Sequence, residues 1–475
     1  MVTPSILIAG LRGGSGKTLA SLGLVSAWRD KGHAVAPYKK GPDYIDAAWL
    51  SAAAGVPCRN LDLFLMSRQA ALSSFVNSAR GADVAVIEGN RGLYDGMDAE
   101  GSYSTAELAK LLRTPVVLTV DCTKATRTVA AIVFGCQQLD PDVPIRGVIL
   151  NRTAGSRHEG VLREAVEQVC GLPVLGAIRR VPRQSLPERH LGLVPPQEHG
   201  ARSVALRAVA AIAERYLDLE ALWDLAQQAG QLEVPAGAPG LGDGSKPEVV
   251  RVGVFRDQAF QFYYPENLEA LAREGARLVE ISPLSDAEMP DVDALYIGGG
   301  FPETAAQGLA DNRTFRDSLH RAIEGGLPVY AECGGTVYLG ERLLFEGKEY
   351  PMTASLPVVF AFQSKPQGHG YTMLETVKNT AFSRVGDTFR GHEFHYTYMQ
   401  SAEAEDLSFA FRVRRGHGFD GKSDGLCYRN VLACYTHVHA LGAESWAPSL
   451  IAAAIRYNSR EGSDELGAGG SNVPD

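Results

Sequence analysis

ILIAGLRGGSGKT, residues 6–18, is a short apolar run that breaks into a glycine-rich turn. Leu19, Leu22, Leu24 and Val25 follow at roughly helical spacing, so the stretch reads as strand, loop and helix. Glycines let such a loop wrap its backbone N–H groups around an anion. The helix start adds the positive end of its dipole, and Lys17 adds a point charge. Gly13, Gly14, Ser15, Gly16, Lys17 and Thr18 are therefore the candidate phosphate-binding residues. A turn that merely joins a strand to a helix has no use for the Lys-Thr pair. The common P-loop spacing asks for glycine where Leu11 stands, so this loop is a variant.

Working outward, apolar runs at 34–37, 84–88, 116–121 and 147–151 alternate with helical patterns. That alternation predicts βαβ units on a mainly parallel sheet, with ligands beyond the carboxyl ends of its strands. Asp43 follows the second run, where a P-loop enzyme would share Mg²⁺ between phosphate and protein oxygens; a plain Pro-Asp turn is the other reading. Glu88 directly ends the third run and is Walker-B-like. Asp95, among glycines, either faces a substrate or closes a turn.

With 475 residues, two or three domains are expected. A chain 45% hydrophobic and 21% charged is ordinary globular protein, and its net charge of -9 argues against a general nucleic-acid binder. Seven scattered cysteines without CxxC spacing indicate neither a disulfide framework nor a zinc site. Without a membrane-length apolar run, and with a strand starting at once, no signal peptide, no membrane partner and a cytoplasmic location are expected.

A helix is predicted over about 201–225, then a Gly/Pro/Ser-rich linker, then a second α/β unit opening with a strand at 250–255. Cys333 stands between the apolar run 327–331 and a helix-compatible stretch, which would expose its thiol on a sharp turn beside backbone N–H groups. A buried, inert cysteine is the alternative. A base must come from a histidine brought in by folding, and two segments compete: GHEFHY at 391–396 and CYTHVH at 434–439.

RGGSGKT, KKGPDYIDAAW, LDLFLM and EGNRGLYDG, with LPERHLGLVP, GGGFPE, ECGG and GHEFHYT further on, resemble the cobyrinic or hydrogenobyrinic acid a,c-diamide synthases over nearly the whole chain. The resemblance implies an α/β protein. It would comprise a doubly wound P-loop domain like dethiobiotin synthetase (1–227), a linker (228–248), a class I glutamine amidotransferase domain (249–459) and a disordered tail (460–475).

The family amidates tetrapyrrole acetate groups with ATP, Mg²⁺ and glutamine. By matching position, Lys17 and Thr18 would hold the nucleotide phosphates, Thr18, Asp43 and Glu88 the metal, and Asn151 the adenine base. Tyr44, Asp46 and Asp95 would surround the acceptor carboxylate, with Arg179, Arg180, Arg183, Arg189 and His190 near its other carboxylates. Cys333 would be the nucleophile and His437 its base, with backbone N–H groups near Gly299, Gly300 and Gly334 holding the oxyanion. His439 stands where ordinary class I domains carry the glutamate that orients the histidine, which leaves that third member unassigned. A homodimer is expected. Sirohaem or nickel-sirohydrochlorin are alternative acceptors, and a ParA-like regulatory ATPase is the alternative of another class.

Overall fold

The computed structural model describes residues 3–180, 188–189, 192–193, 202–233, 246–402 and 407–468. The chain divides into two compact units between Gly240 and Leu241.

In the first unit seven strands follow one another: β1 (Ser5–Gly10), β2 (Val35–Lys40), β3 (Arg59–Leu61), β4 (Val84–Glu88), β5 (Val116–Asp121), β6 (Ile145–Thr153) and β7 (Val174–Arg179). They form one sheet in the order 3-2-4-1-5-6-7, and every neighbouring pair is parallel. All six β1 residues are buried, as a strand covered on both faces requires. β1 is flanked by β4 and β5, so its carboxyl end opens at the point where chain order reverses. Helix α1 (Lys17–Asp30) starts there.

Two strands, β2 and β6, run longer than the apolar runs predicted. β2 extends through Lys39 and Lys40, because both lysines are buried against carboxylates. The helix predicted over 201–225 is two, Arg202–Tyr216 and Leu219–Ala226, interrupted where the Asp218 side chain caps the second. Ala229 and Leu232 are buried, so packed chain continues into the expected linker, whose middle, 234–245, lies outside the described residues.

The second unit is built on a ten-stranded mixed sheet. Its parallel half runs Ala276–Ile281, Val250–Phe255, Ala294–Ile297, Val329–Glu332 and Val431–Cys434. The antiparallel half runs Ser423–Tyr428, Ser408–Arg415, Gly368–Thr376, Thr388–His395 and His437–Val438. Phe255, Phe315 and Tyr338 pack edge to face in the core beneath. The last helix spans Trp446–Ala468, past residue 460 where a disordered tail was expected. Its first turns are anchored by buried Trp446, Leu450 and Ala454, and extending an anchored helix is far easier than nucleating one. Among the described residues no helix is long and apolar enough to cross a membrane.

Candidate active sites

The first site forms at the carboxyl ends of β1, β2 and β4. Gly16 precedes α1 at φ 100°, a left-handed conformation suited to glycine, and a side chain there would also strike Asn151. The Ser15 hydroxyl donates to the Arg12 carbonyl at 2.9 Å, and Lys17 Nζ donates to the Arg12 and Arg91 carbonyls at 3.0 and 2.7 Å. Burial, and then the nearby charge of Lys39, pull the Lys17 ammonium down to about 8. Thr18 Oγ1 donates to Glu88 Oε1 at 2.7 Å.

Lys39, which sequence reading passed over, completes this cluster. Its Cα is the register partner of Glu88, and its ammonium donates to Glu88 Oε1 at 2.8 Å and Asp46 Oδ2 at 2.6 Å. Burial opposes the charge on Lys39, but Asp46, Glu88 and Asp43 outweigh it and hold the ammonium above its ordinary range. The Lys-Lys pair before Gly41 was the available signal, since two lysines ending a buried strand need carboxylates beside them.

Glu88 is wholly buried, and burial pushes its carboxyl up to about 7. Its Oε2 has no hydrogen-bond partner among the described residues. A cation fits that unsatisfied oxygen, so the donor set around Glu88 and Thr18 suits Mg²⁺, which takes few protein ligands and shares the rest with phosphates and water.

Asp43 is used differently: its Oδ1 accepts from the Asp46 N–H at 2.8 Å and caps the helix α2 (Tyr44–Ala54). Burial, then the charge of Asp46, raise its carboxyl to about 6. Tyr44 and Asp46 open that helix, half-buried. Asp95 is exposed and accepts from the Gly92 N–H at 2.7 Å, the turn-closing arrangement of its two readings. Asn151 donates to the Ser15 carbonyl at 2.9 Å and accepts from the Arg152 N–H at 2.9 Å, so its amide braces the loop. Gly13 and Gly14 sit in the loop with open space where side chains would be. Arg179 and Arg180 are exposed, whereas Arg183 and His190 and the side chain of Arg189 lie outside the described residues.

The second site is an elbow. Cys333 follows the strand Val329–Glu332 at φ 47° and ψ −104°, strained for a residue with a side chain, and precedes the helix Gly334–Leu339. The Cys434 carbonyl pins the turn, accepting from the Cys333 N–H at 2.7 Å and the Thr336 hydroxyl at 2.8 Å. Burial, and then the charge of Glu303, push the Cys333 thiol well above its usual value.

Both competing histidine segments border the elbow: the Phe394 carbonyl of the first lies 3.9 Å from Cys333 Sγ, and strand register brings His437 of the second beside Glu332. Glu332 pairs with Cys434, and the chain then runs on to His437, whose Nδ1 lies 3.2 Å from Glu332 Oε2. Buried Asp424 accepts from the N–H groups of Tyr435 and Thr436 at 2.9 and 3.0 Å and fixes that run. A methyl group on Gly299 would stand 2.5 Å from His437 Cε1 and 3.3 Å from Nε2, and one on Gly334 would stand 3.0 Å from the Gly300 nitrogen. The glycines thus clear space between the imidazole and the elbow.

His439 is wholly buried elsewhere, with Nε2 3.6 Å from Glu266 Oε2. His392 stacks on His437 with ring centroids 4.9 Å apart, and burial followed by the neighbouring histidines pushes it well below its ordinary value. Neither Glu332 nor Asp424 was singled out by sequence reading.

A family model described as the CobQ/CobB/MinD/ParA nucleotide binding domain matches residues 6–194, and one described as the CobB/CobQ-like glutamine amidotransferase domain matches 251–445. A cobyrinate a,c-diamide synthase of Magnetococcus marinus is 45% identical over 94% of this chain and 96% of its own length. One from Archaeoglobus fulgidus is 42% identical over 96% and 98%, and one from Methanosarcina acetivorans 37% over 96% of each. With both domain models matched in order and such relatives aligned end to end, this chain belongs to the cobyrinate a,c-diamide synthase family.

Proposed function

We propose that this protein is a glutamine-hydrolysing ligase that converts the a and c acetate carboxylates of cobyrinate, or a close tetrapyrrole relative, to amides at the expense of ATP. The reading rests on one observation: a single chain carries both Lys17 and the Thr18–Glu88 contact at a P-loop and, at a strained elbow, Cys333 directly after a Glu332 that reaches His437. A regulatory ATPase has no use for the elbow, and a free-standing cysteine hydrolase has none for the P-loop. The relatives' names favour cobyrinate over sirohaem as acceptor.

In the second unit His437 takes the Cys333 proton as the sulfur attacks the glutamine side-chain amide, forming a thioester and releasing ammonia; water then frees glutamate. Backbone N–H groups of the Gly299, Gly300 and Gly334 run face the developing oxyanion. In the first unit the acceptor carboxylate attacks the γ-phosphorus of ATP, ADP departs, and ammonia displaces phosphate from the resulting acyl phosphate. Lys17 and the loop N–H groups stabilise the transferring phosphoryl. Glu88 and Thr18 would hold Mg²⁺, with Asp43 beside them, and the ion would neutralise phosphate charge there. Asn151 supports the loop under the nucleotide, while Tyr44 and Asp46 flank the acceptor and Asp95 holds the neighbouring turn through the Gly92 N–H. The assembly is read as a homodimer working in the cytoplasm.

The test is mass spectrometry of cobyrinate, hydrogenobyrinate and sirohaem incubated with the protein, ATP, Mg²⁺ and glutamine. Two OH-to-NH₂ replacements on a cobyrinate-type acceptor are expected. Conversion of sirohaem alone would move the acceptor, and conversion of none would return the reading to an ATPase.

A further inference from the structure

The geometry points to Glu332, the residue immediately before the nucleophile, as the positioning residue that orients the His437 imidazole, the task that the sequence leaves open when His439 replaces the usual glutamate. This inference rests on the proposed glutaminase reading of the same elbow.

Glu332 is wholly buried at the end of a strand whose other residues are Val329, Tyr330 and Ala331. A buried carboxylate is unfavourable unless donors meet it, and an apolar residue would fill the same strand position without that penalty. Three donors do meet it. His437 Nδ1 lies 3.2 Å from Oε2, the Tyr296 hydroxyl donates to Oε2 at 3.2 Å, and the Val438 N–H donates to Oε1 at 3.1 Å. The carboxylate therefore grips both the ring of His437 and the backbone that follows it.

The bond dictates the tautomer. A carboxylate accepts, so Nδ1 carries the proton and Nε2 keeps its lone pair. That nitrogen lies on the side of Gly299, in the glycine run that borders the elbow. This is the form a base needs to take the thiol proton, and the same carboxylate then stabilises the imidazolium that results.

The other acids do not compete. Glu266 faces His439, and Glu393 is occupied by the N–H groups of His417 and Gly418 at 2.6 and 2.8 Å. Glu332 meets His437 on one side and His392 stacks on it from the other, with Tyr296 reached through Glu332.

Glu332→Gln keeps the shape but offers one oxygen to three donors. Steady-state glutaminase in this variant is expected to lose about a hundredfold in kcat with KM for glutamine little changed. Ammonium-dependent amidation stays at the wild-type rate, which shows that the first unit is intact, and an unchanged thermal melt of the full chain shows that the second unit is folded. A wild-type kcat, or a loss that falls on KM for glutamine instead of kcat, would overturn the assignment. Cys333→Ala is measured alongside: if it keeps its glutaminase, the elbow reading itself has failed.

If Glu332→Gln loses the ammonium-dependent reaction as well, proton NMR of the unaltered protein decides. A downfield imidazole N–H resonance that disappears in His437→Gln supports the Glu332 bond, and its absence refutes it.

Discussion

Cys333 shows how one residue can be strained by its backbone and buried by its surroundings, where the sequence predicts an exposed thiol. Its φ of 47° turns the chain sharply, while burial, and then Glu303, raise its thiol against the Gly334 N–H that favours the thiolate. Such a thiol is uncharged at neutral pH, so it becomes a nucleophile only when a base accepts its proton. The sign follows directly: a raised value means that the thiolate fraction is still growing where an ordinary cysteine has finished titrating. Alkylation of Cys333 by iodoacetamide, read by mass spectrometry of its peptide, is therefore expected to keep rising about tenfold per pH unit beyond about pH 9. A plateau near the free-thiol value would mean that the elbow stabilises the thiolate without its histidine.

At the scale of elements, Asp43 carries two duties that single variants can separate. Its Oδ1 caps α2 through the Asp46 N–H, and its carboxylate stands beside Lys39 and Asp46. Asp43→Asn keeps the cap and removes the charge, so it should leave thermal stability within about 0.5 kcal/mol of wild type while impairing Mg²⁺-dependent amidation. Asp43→Ala removes both and should cost about 1 kcal/mol in addition. Thermal melts and amidation rates check the pair, and an active Asp43→Asn would leave the residue a cap and nothing more.

The same scale explains what could be read in advance. The P-loop is local, thirteen consecutive residues whose strand, turn and helix signals agree, and the strands Val84–Glu88 and Val116–Asp121 fall where their apolar runs lie. Lys39 and Glu332 were hidden because their significance depends on register. Lys39 matters through its parallel partner Glu88, nearly fifty positions away, and Glu332 through a strand a hundred residues later that delivers His437 beside it. In sequence Glu332 merely adjoins the cysteine, and His439 holds the position where an orienting acid was sought. The second segment's histidines could be ranked only by family resemblance, since spacing alone does not tell which imidazole register brings to the elbow.

For the whole molecule, the residues of each proposed half-reaction lie within one compact unit: Lys17, Thr18, Lys39 and Glu88 in the first, Cys333, His437 and Glu332 in the second. Ammonia is the only species the two chemistries need to share, so supplying it from outside should make the second unit's chemistry dispensable. Cys333→Ala is expected to lose glutamine-driven amidation by about 10⁴-fold or more, yet to amidate at near the wild-type rate with high ammonium. That rescued rate should climb with pH as more ammonium becomes free ammonia, because only the neutral amine can attack the acyl phosphate. Lys17→Ala is the mirror case. It should retain glutaminase and lose amidation from either nitrogen source, since no external amine replaces the lost stabilisation of the transferring phosphoryl. Both variants are assayed by glutamate release and by acceptor mass. Loss of both activities in Cys333→Ala would show that the elbow is needed for more than making ammonia, and intact amidation in Lys17→Ala would remove the P-loop from the reaction altogether.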